Sequence, residues 1–472
     1  MHAEDAYLFR HALVRDAAYE LQPPGERAWF HSLAFHALEA LLGGPPDDLP
    51  SDDVDLDDAP LRPADAQAHE LAGHARLGTP ADPALAAARA IYLRRAALYA
   101  MRSYRNVEAA DCWLEHSELV SGAARGESLR RAAQARHKMA QELEAERLLG
   151  LALACSHQSG ARRLEGQVLG NLASILEATG CAGRAEELYG LSLDALREVD
   201  DQRSVGGVLT QLGNLYRVTG RILQAEETLG LALSIARATA NRRAECIAFG
   251  VLGQLYQNTE REDEAERVYL QACGMAREIG DSWLEGRILS NLSLLFEGGG
   301  RLNEAVRTLE QAMELHREVG DRRAEATALG FEAVRMSQQG NPEGAILVFE
   351  HAVELHRETV NRLFEGGMLG NIACIHRRCG RLDQARQTFD KSLAILRELG
   401  PSRFLAAHLC DYAMLLVQQG DSTSAREHWR EGADIIRSFE DHRLMRETRQ
   451  EMLKVCHTAG SLPLDGTQKG DG

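Results

Sequence analysis

Small and apolar residues recur along this 472-residue chain in columns that repeat every forty positions, with polar runs between them. The first column of small residues contains Ala133, Ala173, Gly213, Gly253, Ser293, Ala333, Ala373 and Ala413. A second column lies twelve residues further on and is alanine in every copy from Ala145 to Ala425. A third, seven positions beyond the second, runs from Ala152 to Gly432. A fixed period of this size is the sequence signature of a repeat architecture.

Large apolar residues complete the helical faces that the small residues leave open. One set lies four positions before the first small column: Leu169, Leu209, Phe249, Leu289, Leu329, Leu369 and Leu409. Another lies four positions after the second: Tyr189, Leu229, Tyr269, Leu309, Phe349, Phe389 and Trp429. Residues four apart lie one above the other on a helix. Glycines, Gly220 and Gly300 among them, separate the two segments and favour a left-handed helix end. Each unit is therefore predicted to be an antiparallel pair of closely packed helices.

These three small columns, with a bulky residue between the last two, resemble the tetratricopeptide repeat (TPR) family, whose unit has about 34 residues. The proline that the family usually carries near the end of the second helix is absent. Arginine takes its place, for example at Arg317 and Arg357, so that the second helix can run on into a longer unit. The resemblance implies an all-α fold, a right-handed α-solenoid of antiparallel helix pairs.

The pattern also predicts how the chain is divided. The region 43–64 is rich in proline and aspartate and is expected to be an acidic linker, because it cannot bury enough apolar surface to become ordered. A terminal repeat needs a helix with a polar outer face, which predicts a capping helix near the end of the chain. The predicted regions are 1–42 (helical or winged-helix remnant), 43–64 (linker), 65–124 (degenerate helical repeats), 125–438 (eight units of forty residues), 439–458 (capping helix) and 459–472 (disordered tail).

The N-terminal segment carries a second, shorter resemblance. His11, Leu13, Arg15 and Asp16 form the pattern His-x-Leu-x-Arg-Asp, which resembles the end of the ATPase module in signal-transduction ATPases with numerous domains (STAND ATPases). In some branches of that group, the matching histidine contacts the phosphate of the bound nucleotide. The sequence contains no phosphate-binding GxxxxGK[ST] motif, so no nucleotide site is predicted. A plain helical cap with a partly buried His11 is the alternative interpretation.

Composition narrows the choice of partners. The net charge of −17 argues against a nucleic-acid partner, which requires a basic face. The nine cysteines form no CxxC motif, and no apolar run is long enough to cross a membrane. His316 and His356 are expected to be solvated rather than metal ligands. We therefore expect a cytoplasmic protein that is not an enzyme and has no metal, cofactor, membrane or small-molecule substrate.

Binding chemistry is predicted on the concave surface that the first helices of a solenoid form. Carboxamides both donate and accept hydrogen bonds, which suits the backbone of an extended peptide, and arginines suit carboxylates on such a peptide. The TPR resemblance implies that Asn171, Asn291 and Asn371 hold a peptide backbone. The predicted groove residues are Asn171, Gln211, Asn214, Arg217, Gln254, Arg287, Asn291, Asn371, Arg377 and Asp411.

Two alternatives remain open for this surface. The carboxamides could instead bridge neighbouring helices, because buried polar groups need hydrogen-bond partners. An apolar set formed by Leu294, Phe331, Val334 and Met414 could receive an apolar anchor of the ligand or could belong to the core.

The most direct functional prediction is a protein–protein interaction scaffold that binds a peptide or a partner domain in the groove, in bacterial signalling or regulation. The alternative is the sensor or regulatory arm of a STAND-type ATPase or a transcriptional regulator, with the nucleotide-binding part missing from this chain.

Overall fold

The structure is a computed structural model that describes residues 19–45, 62–139, 141–179, 181–359, 361–438 and 442–465. The described residues form 21 α-helices and no β-strand, which confirms the all-α prediction. The first six helices are α1 (Pro24–Leu41), α2 (Ala68–Gly78), α3 (Leu85–Arg102), α4 (Asn106–Leu119), α5 (Gly122–Lys138) and α6 (Glu142–Ser159). The segment around His11 lies outside the described residues, as does most of the predicted linker.

The remaining helices follow the forty-residue period. The first helices of the pairs are α7 (Arg162–Ala178), α9 (Gln202–Val218), α11 (Arg242–Asn258), α13 (Ser282–Gly298), α15 (Arg322–Gln338), α17 (Arg362–Arg378) and α19 (Arg403–Gln418). The second helices are α8 (Ala182–Glu198), α10 (Ile222–Ala238), α12 (Glu262–Glu278), α14 (Leu302–Glu318), α16 (Pro342–Glu358), α18 (Leu382–Leu399) and α20 (Ser422–Ser438). The last helix, α21 (His442–Thr458), lies where the capping helix was predicted. Each first helix packs against its second helix, as expected for an α-solenoid of helix pairs.

The chain forms two compact units. The first unit comprises Met1–Lys138 with Arg147–Gly160, and the second comprises Met139–Glu146 with Ala161–Gly472. In the first unit, the core contains Phe35 and Tyr92, whose rings pack edge to face with centroids 5.6 Å apart. A buried ion pair lies in the same unit, where Arg95 Nε contacts Asp65 Oδ1 at 2.9 Å.

Local sequence determines where the helices of the second unit begin and end. The carboxylate of Asp321 accepts a hydrogen bond from the backbone N–H of Ala324 at 2.9 Å and caps α15, which confirms the start predicted there. The glycines that separate the two helices adopt left-handed backbone, as at Gly220 with φ of 75°. Glu260 replaces glycine in this column and still adopts φ of 61°, because the turn requires that conformation.

Small residues allow the two helices of a pair to approach. A Cβ atom added to Gly213 would lie only 2.7 Å from Cγ of Leu229 on the partner helix. Where the third small position is serine, the hydroxyl also joins the helices: Ser192 Oγ donates to the carbonyl of Gly166 at 2.6 Å, and Ser392 Oγ to that of Gly366 at 2.7 Å. The alternation of small and large residues in the sequence thus determines how closely the two helices of each pair pack.

The arginines near the ends of the second helices join successive pairs. Arg237 Nε donates to Glu245 at 2.7 Å, and the same contact recurs eighty residues on, from Arg317 to Glu325 at 2.8 Å. It recurs again from Arg357 to Glu365 at 2.7 Å. The three glutamates are buried, so each arginine supplies the opposite charge that a buried carboxylate needs. We call these contacts the inter-pair ion pairs.

Candidate binding groove

The first helices of the second unit form its inner face. Contacts join α7 to α9, α9 to α11, α11 to α13, α15 to α17 and α17 to α19. Within the described part of the chain, α13 and α15 are the exception, and successive second helices share no contacts of that extent. A stack whose helices approach one another on one side and diverge on the other is concave on the first side. We call this surface the first-helix face.

Six predicted carboxamides lie half-buried on the first-helix face. They are Asn171, Gln211, Asn214, Gln254, Asn291 and Asn371. The structure describes no hydrogen-bond partner, in any of its residues, for the side chains of Gln211, Gln254, Asn291 and Asn371. Nδ2 of Asn171 is fully buried and has no partner within the described residues either. A fully buried polar atom without a partner costs about 1–3 kcal/mol, which applies to Nδ2 of Asn171, whereas the four half-buried side chains can hydrogen-bond to a ligand.

Asn214 differs from the others because it bridges two helices. Its Nδ2 donates to Glu177 Oε1 on α7 at 2.7 Å, and its Oδ1 accepts from Nη2 of Arg217 at 2.7 Å. Glu177 also accepts the hydroxyl of Tyr189 at 3.0 Å. Burial, and then the charge of Glu177, raises the pKa of Tyr189. For this one carboxamide, the contacts match the interpretation of asparagine as a bridge between helices.

The predicted arginines fall into different environments. Arg287 is exposed, and its guanidinium lies 4.6 Å from the centroid of the Trp283 ring. Arg217 is half-buried, and its burial lowers the pKa of the guanidinium. Arg377 is 3% exposed, which places it inside the protein rather than on the accessible part of the face.

Arg377 and Asp411 are engaged by the chain itself. Nη2 of Arg377 donates to Oε1 of Glu451 on α21 at 2.6 Å and lies 3.6 Å from Oδ1 of Asp411. Glu451 was not foreseen, because α21 has left the forty-residue period and no column indicates where its side chains point. The predicted tail beyond α21 is described as far as residue 465, and Leu464 in it is buried against Met452.

The apolar set divides between face and core. Met414 is 1% exposed and belongs to the core, as the alternative interpretation expected. Val334 is 36% exposed, and Leu294 and Phe331 are half-buried. The accessible apolar surface therefore lies on α13 and α15, beside Asn291.

The prediction that His316 and His356 are solvated is wrong. Both side chains are buried, and Nε2 of His316 lies 3.1 Å from Oγ of Ser290. Nδ1 of His356 accepts from Nδ2 of the buried Asn361 at 3.2 Å. Burial lowers the pKa of His316, and lowers that of His356 to about 4.

Among the described helices, none combines the length and the apolar content that a membrane crossing requires.

Comparison with known proteins agrees with the helix-pair pattern. The family model described as tetratricopeptide repeat matches residues 204–278, 284–358 and 365–459, which together exceed half of the chain. No curated protein sequence matches the chain significantly.

Several solved structures match the chain at low identity. A Rap protein complexed with Competence and Sporulation Factor is 14% identical, with a TM-score of 0.50, covering 74% of this chain and 97% of that chain. A STAND protein with a tetratricopeptide repeat sensor from Pyrococcus horikoshii is 16% identical, with a TM-score of 0.47, covering 78% of this chain and 54% of that chain. NprR in complex with its cognate peptide NprX is 18% identical, with a TM-score of 0.39, covering 52% of this chain and 72% of that chain. At 14% identity, the likeness to the Rap protein concerns the fold alone.

Proposed function

Because the chain belongs to the tetratricopeptide repeat family, we propose that it is a non-enzymatic interaction scaffold that binds an extended peptide or partner segment on its first-helix face. One observation carries the proposal: four half-buried carboxamides, Gln211, Gln254, Asn291 and Asn371, have no hydrogen-bond partner within the described residues. Because an extended peptide has unpaired N–H and C=O groups along its whole length, it can pair with both ends of each carboxamide.

The surroundings indicate the chemistry of the ligand. Arg217 and Arg287 place positive charge on the face of a chain whose net charge is −17, which favours a peptide that bears carboxylates. The pairing of Arg377 with Glu451 illustrates such a contact, made by a carboxylate of the chain itself. The half-exposed surface around Val334 and Phe331 suits one apolar anchor of the ligand.

Similar architecture supports a binding role. The Rap protein whose fold is similar is complexed with Competence and Sporulation Factor. We place the scaffold in bacterial signalling or regulation, within the cytoplasm. The alternative role, as the sensor arm of a STAND-type ATPase, depends on the segment around His11, which lies outside the described residues.

Site-specific crosslinking tests the proposal. Random peptides displayed on phage are selected on the immobilised intact chain, and the selected peptide is irradiated with a chain in which a photoreactive benzoylphenylalanine replaces Val334. In the matched control, the same residue replaces Gln311, which is exposed on the second helix α14. The proposal expects crosslinking from position 334 and none from 311. Equal crosslinking from both positions, or crosslinking from 311 alone, would place the binding surface elsewhere.

A further inference from the structure

Three chemically distinct side chains meet between α17 and α19 in the second unit. They are the thiol of Cys374 on α17 and the side chains of His408 and Asp411 on α19, with one ligating atom from each lying within 4.8 Å of the others. The thiol of Cys374 donates a hydrogen bond to Oδ2 of Asp411 at 3.1 Å, and Nδ1 of His408 lies 3.8 Å from the same oxygen. His408 and Asp411 are three residues apart and therefore share a helical face.

The orientation of the imidazole leaves one nitrogen directed at this cluster. Nε2 of His408 lies 3.1 Å from the carbonyl oxygen of Gly367, which can only accept, so Nε2 carries the proton. Nδ1 is then the ring nitrogen that faces Cys374 and Asp411. This atom is buried and has no hydrogen-bond partner among the described residues, in a side chain that is 3% exposed. A cation bound between Nδ1, Oδ2 of Asp411 and Sγ of Cys374 would supply the partner that this buried nitrogen lacks among the described residues.

The cluster is a local departure from the repeat. The positions equivalent to His408 are apolar in the preceding pairs: Val168, Val208, Ala248, Ile288, Ala328 and Met368. Gly370 provides the space for the imidazole, since an added Cβ at that position would overlap the ring. A backbone carbonyl that holds the second nitrogen of a histidine is also the usual outer support of a metal-ligating imidazole.

The ligands themselves can neutralise a divalent cation. Burial raises the pKa of the free Cys374 thiol, but once that thiol has released its proton, the thiolate and the carboxylate of Asp411 together carry two negative charges. The nearby cation Arg377 binds Glu451 at 2.6 Å, and Arg378 lies 3.5 Å from the same carboxylate. Arg377 approaches Oδ1 of Asp411 at 3.6 Å and leaves Oδ2 directed at Cys374 and His408.

We propose that Cys374, His408 and Asp411 bind Zn²⁺, with water as the fourth ligand, and that the ion joins α17 to α19. Zn²⁺ prefers four ligands drawn from sulfur, nitrogen and oxygen, and tetrahedral bonds of about 2.0–2.3 Å place ligand atoms roughly 3.5 Å apart. The distances of 3.1 and 3.8 Å to Oδ2 bracket this value. The thiol loses its proton to solvent as the Zn–S bond forms, so binding weakens as the pH falls.

Cobalt substitution tests the site directly, without any peptide. The intact chain is freed of metal with a chelator and titrated with Co²⁺, which reports thiolate ligation through a sulfur-to-metal charge-transfer absorption. We expect this absorption to saturate at about one ion per chain and to disappear when Zn²⁺ displaces Co²⁺.

Two variants and one control variant show which residues bind the metal ion. His408→Val installs the residue found at the equivalent positions of two other pairs, so the fold is retained, and Co²⁺ affinity should fall at least roughly tenfold. Cys374→Ser should abolish the charge-transfer absorption. The control Cys379→Ser, at an exposed cysteine on the same part of the chain, should leave binding unchanged. Absence of the absorption in the intact chain, or unchanged affinity in a folded His408→Val chain, would overturn the proposal.

Discussion

Removal of one inter-pair ion pair should destabilise the array by an amount set by the burial of the glutamate. Arg317 joins the end of α14 to Glu325 on α15 at 2.8 Å, and the arginine side chain is 53% exposed whereas the glutamate is 6% exposed. A fully exposed pair contributes about 0.2–1 kcal/mol, and a hydrogen bond to a charged group contributes about 1.5–3 kcal/mol. We expect Arg317→Met to lower the free energy of unfolding by about 1 kcal/mol, because Arg322 still lies 3.4 Å from Glu325.

A double-mutant cycle separates the pair from its surroundings. Arg317→Met, Glu325→Gln and the double variant are unfolded in urea and followed by circular dichroism. The double variant should be more stable than the sum of the single effects indicates, by about 0.5–1 kcal/mol. Arg437→Met is the matched control, because Arg437 pairs with Asp434 at 2.8 Å and both side chains are more than half exposed. This variant should change the free energy of unfolding by less than about 0.5 kcal/mol. Equal losses from Arg317→Met and Arg437→Met, or zero coupling in the cycle, would refute the reasoning.

Close packing and burial also determine how the array responds to three other changes. Gly213→Ala should destabilise the protein by about 1 kcal/mol in urea unfolding, because the new Cβ would lie 2.7 Å from Leu229. At Gly250, an added Cβ meets no atom within 4 Å, so Gly250→Ala should stabilise the protein by up to about 1 kcal/mol. Burial lowers the pKa of His356 to about 4, whereas the histidine of the unfolded chain titrates near 6.5. As the pH falls below 6.5, the unfolded chain therefore binds the proton first. The free energy of unfolding should decrease by up to about 3 kcal/mol by pH 4. In His356→Leu, the free energy of unfolding should decrease less between pH 6.5 and pH 4, as measured by urea unfolding at both pH values. Glu451→Gln should lower the thermal midpoint, at a cost of about 2 kcal/mol, because it removes the closest anionic partner of a buried arginine.

The helix pairs could be predicted because each is a local solution to the same packing problem. The spacing of Gly213 and Leu229 within one unit already states which residue fills the space left by the other. The cap formed by Asp321 follows from the residue type and its place before an apolar run. Both features depend on residues close in sequence.

The partners of the groove residues could not be predicted in the same way. Arg377 contacts Glu451, 74 residues further along the chain, so no period relates the two. The burial of His316 and His356 was missed because a histidine in a column of apolar residues was interpreted by its polarity rather than by its position. Position in the repeat would have been the better guide, since the equivalent residues include Leu196 and Leu396.

The carboxamides of the first-helix face are the centre of the proposed binding site, and one calorimetric comparison tests their role. The peptide selected on the intact chain is titrated into that chain, into Asn291→Ala with Asn371→Ala, and into the control Gln271→Ala with Gln311→Ala, whose glutamines are exposed on second helices. Loss of hydrogen bonds to two carboxamides should cost about 2 kcal/mol, or roughly thirtyfold in Kd. The control should bind like the intact chain. A folded asparagine variant that binds with unchanged affinity would contradict the first-helix face as the binding site.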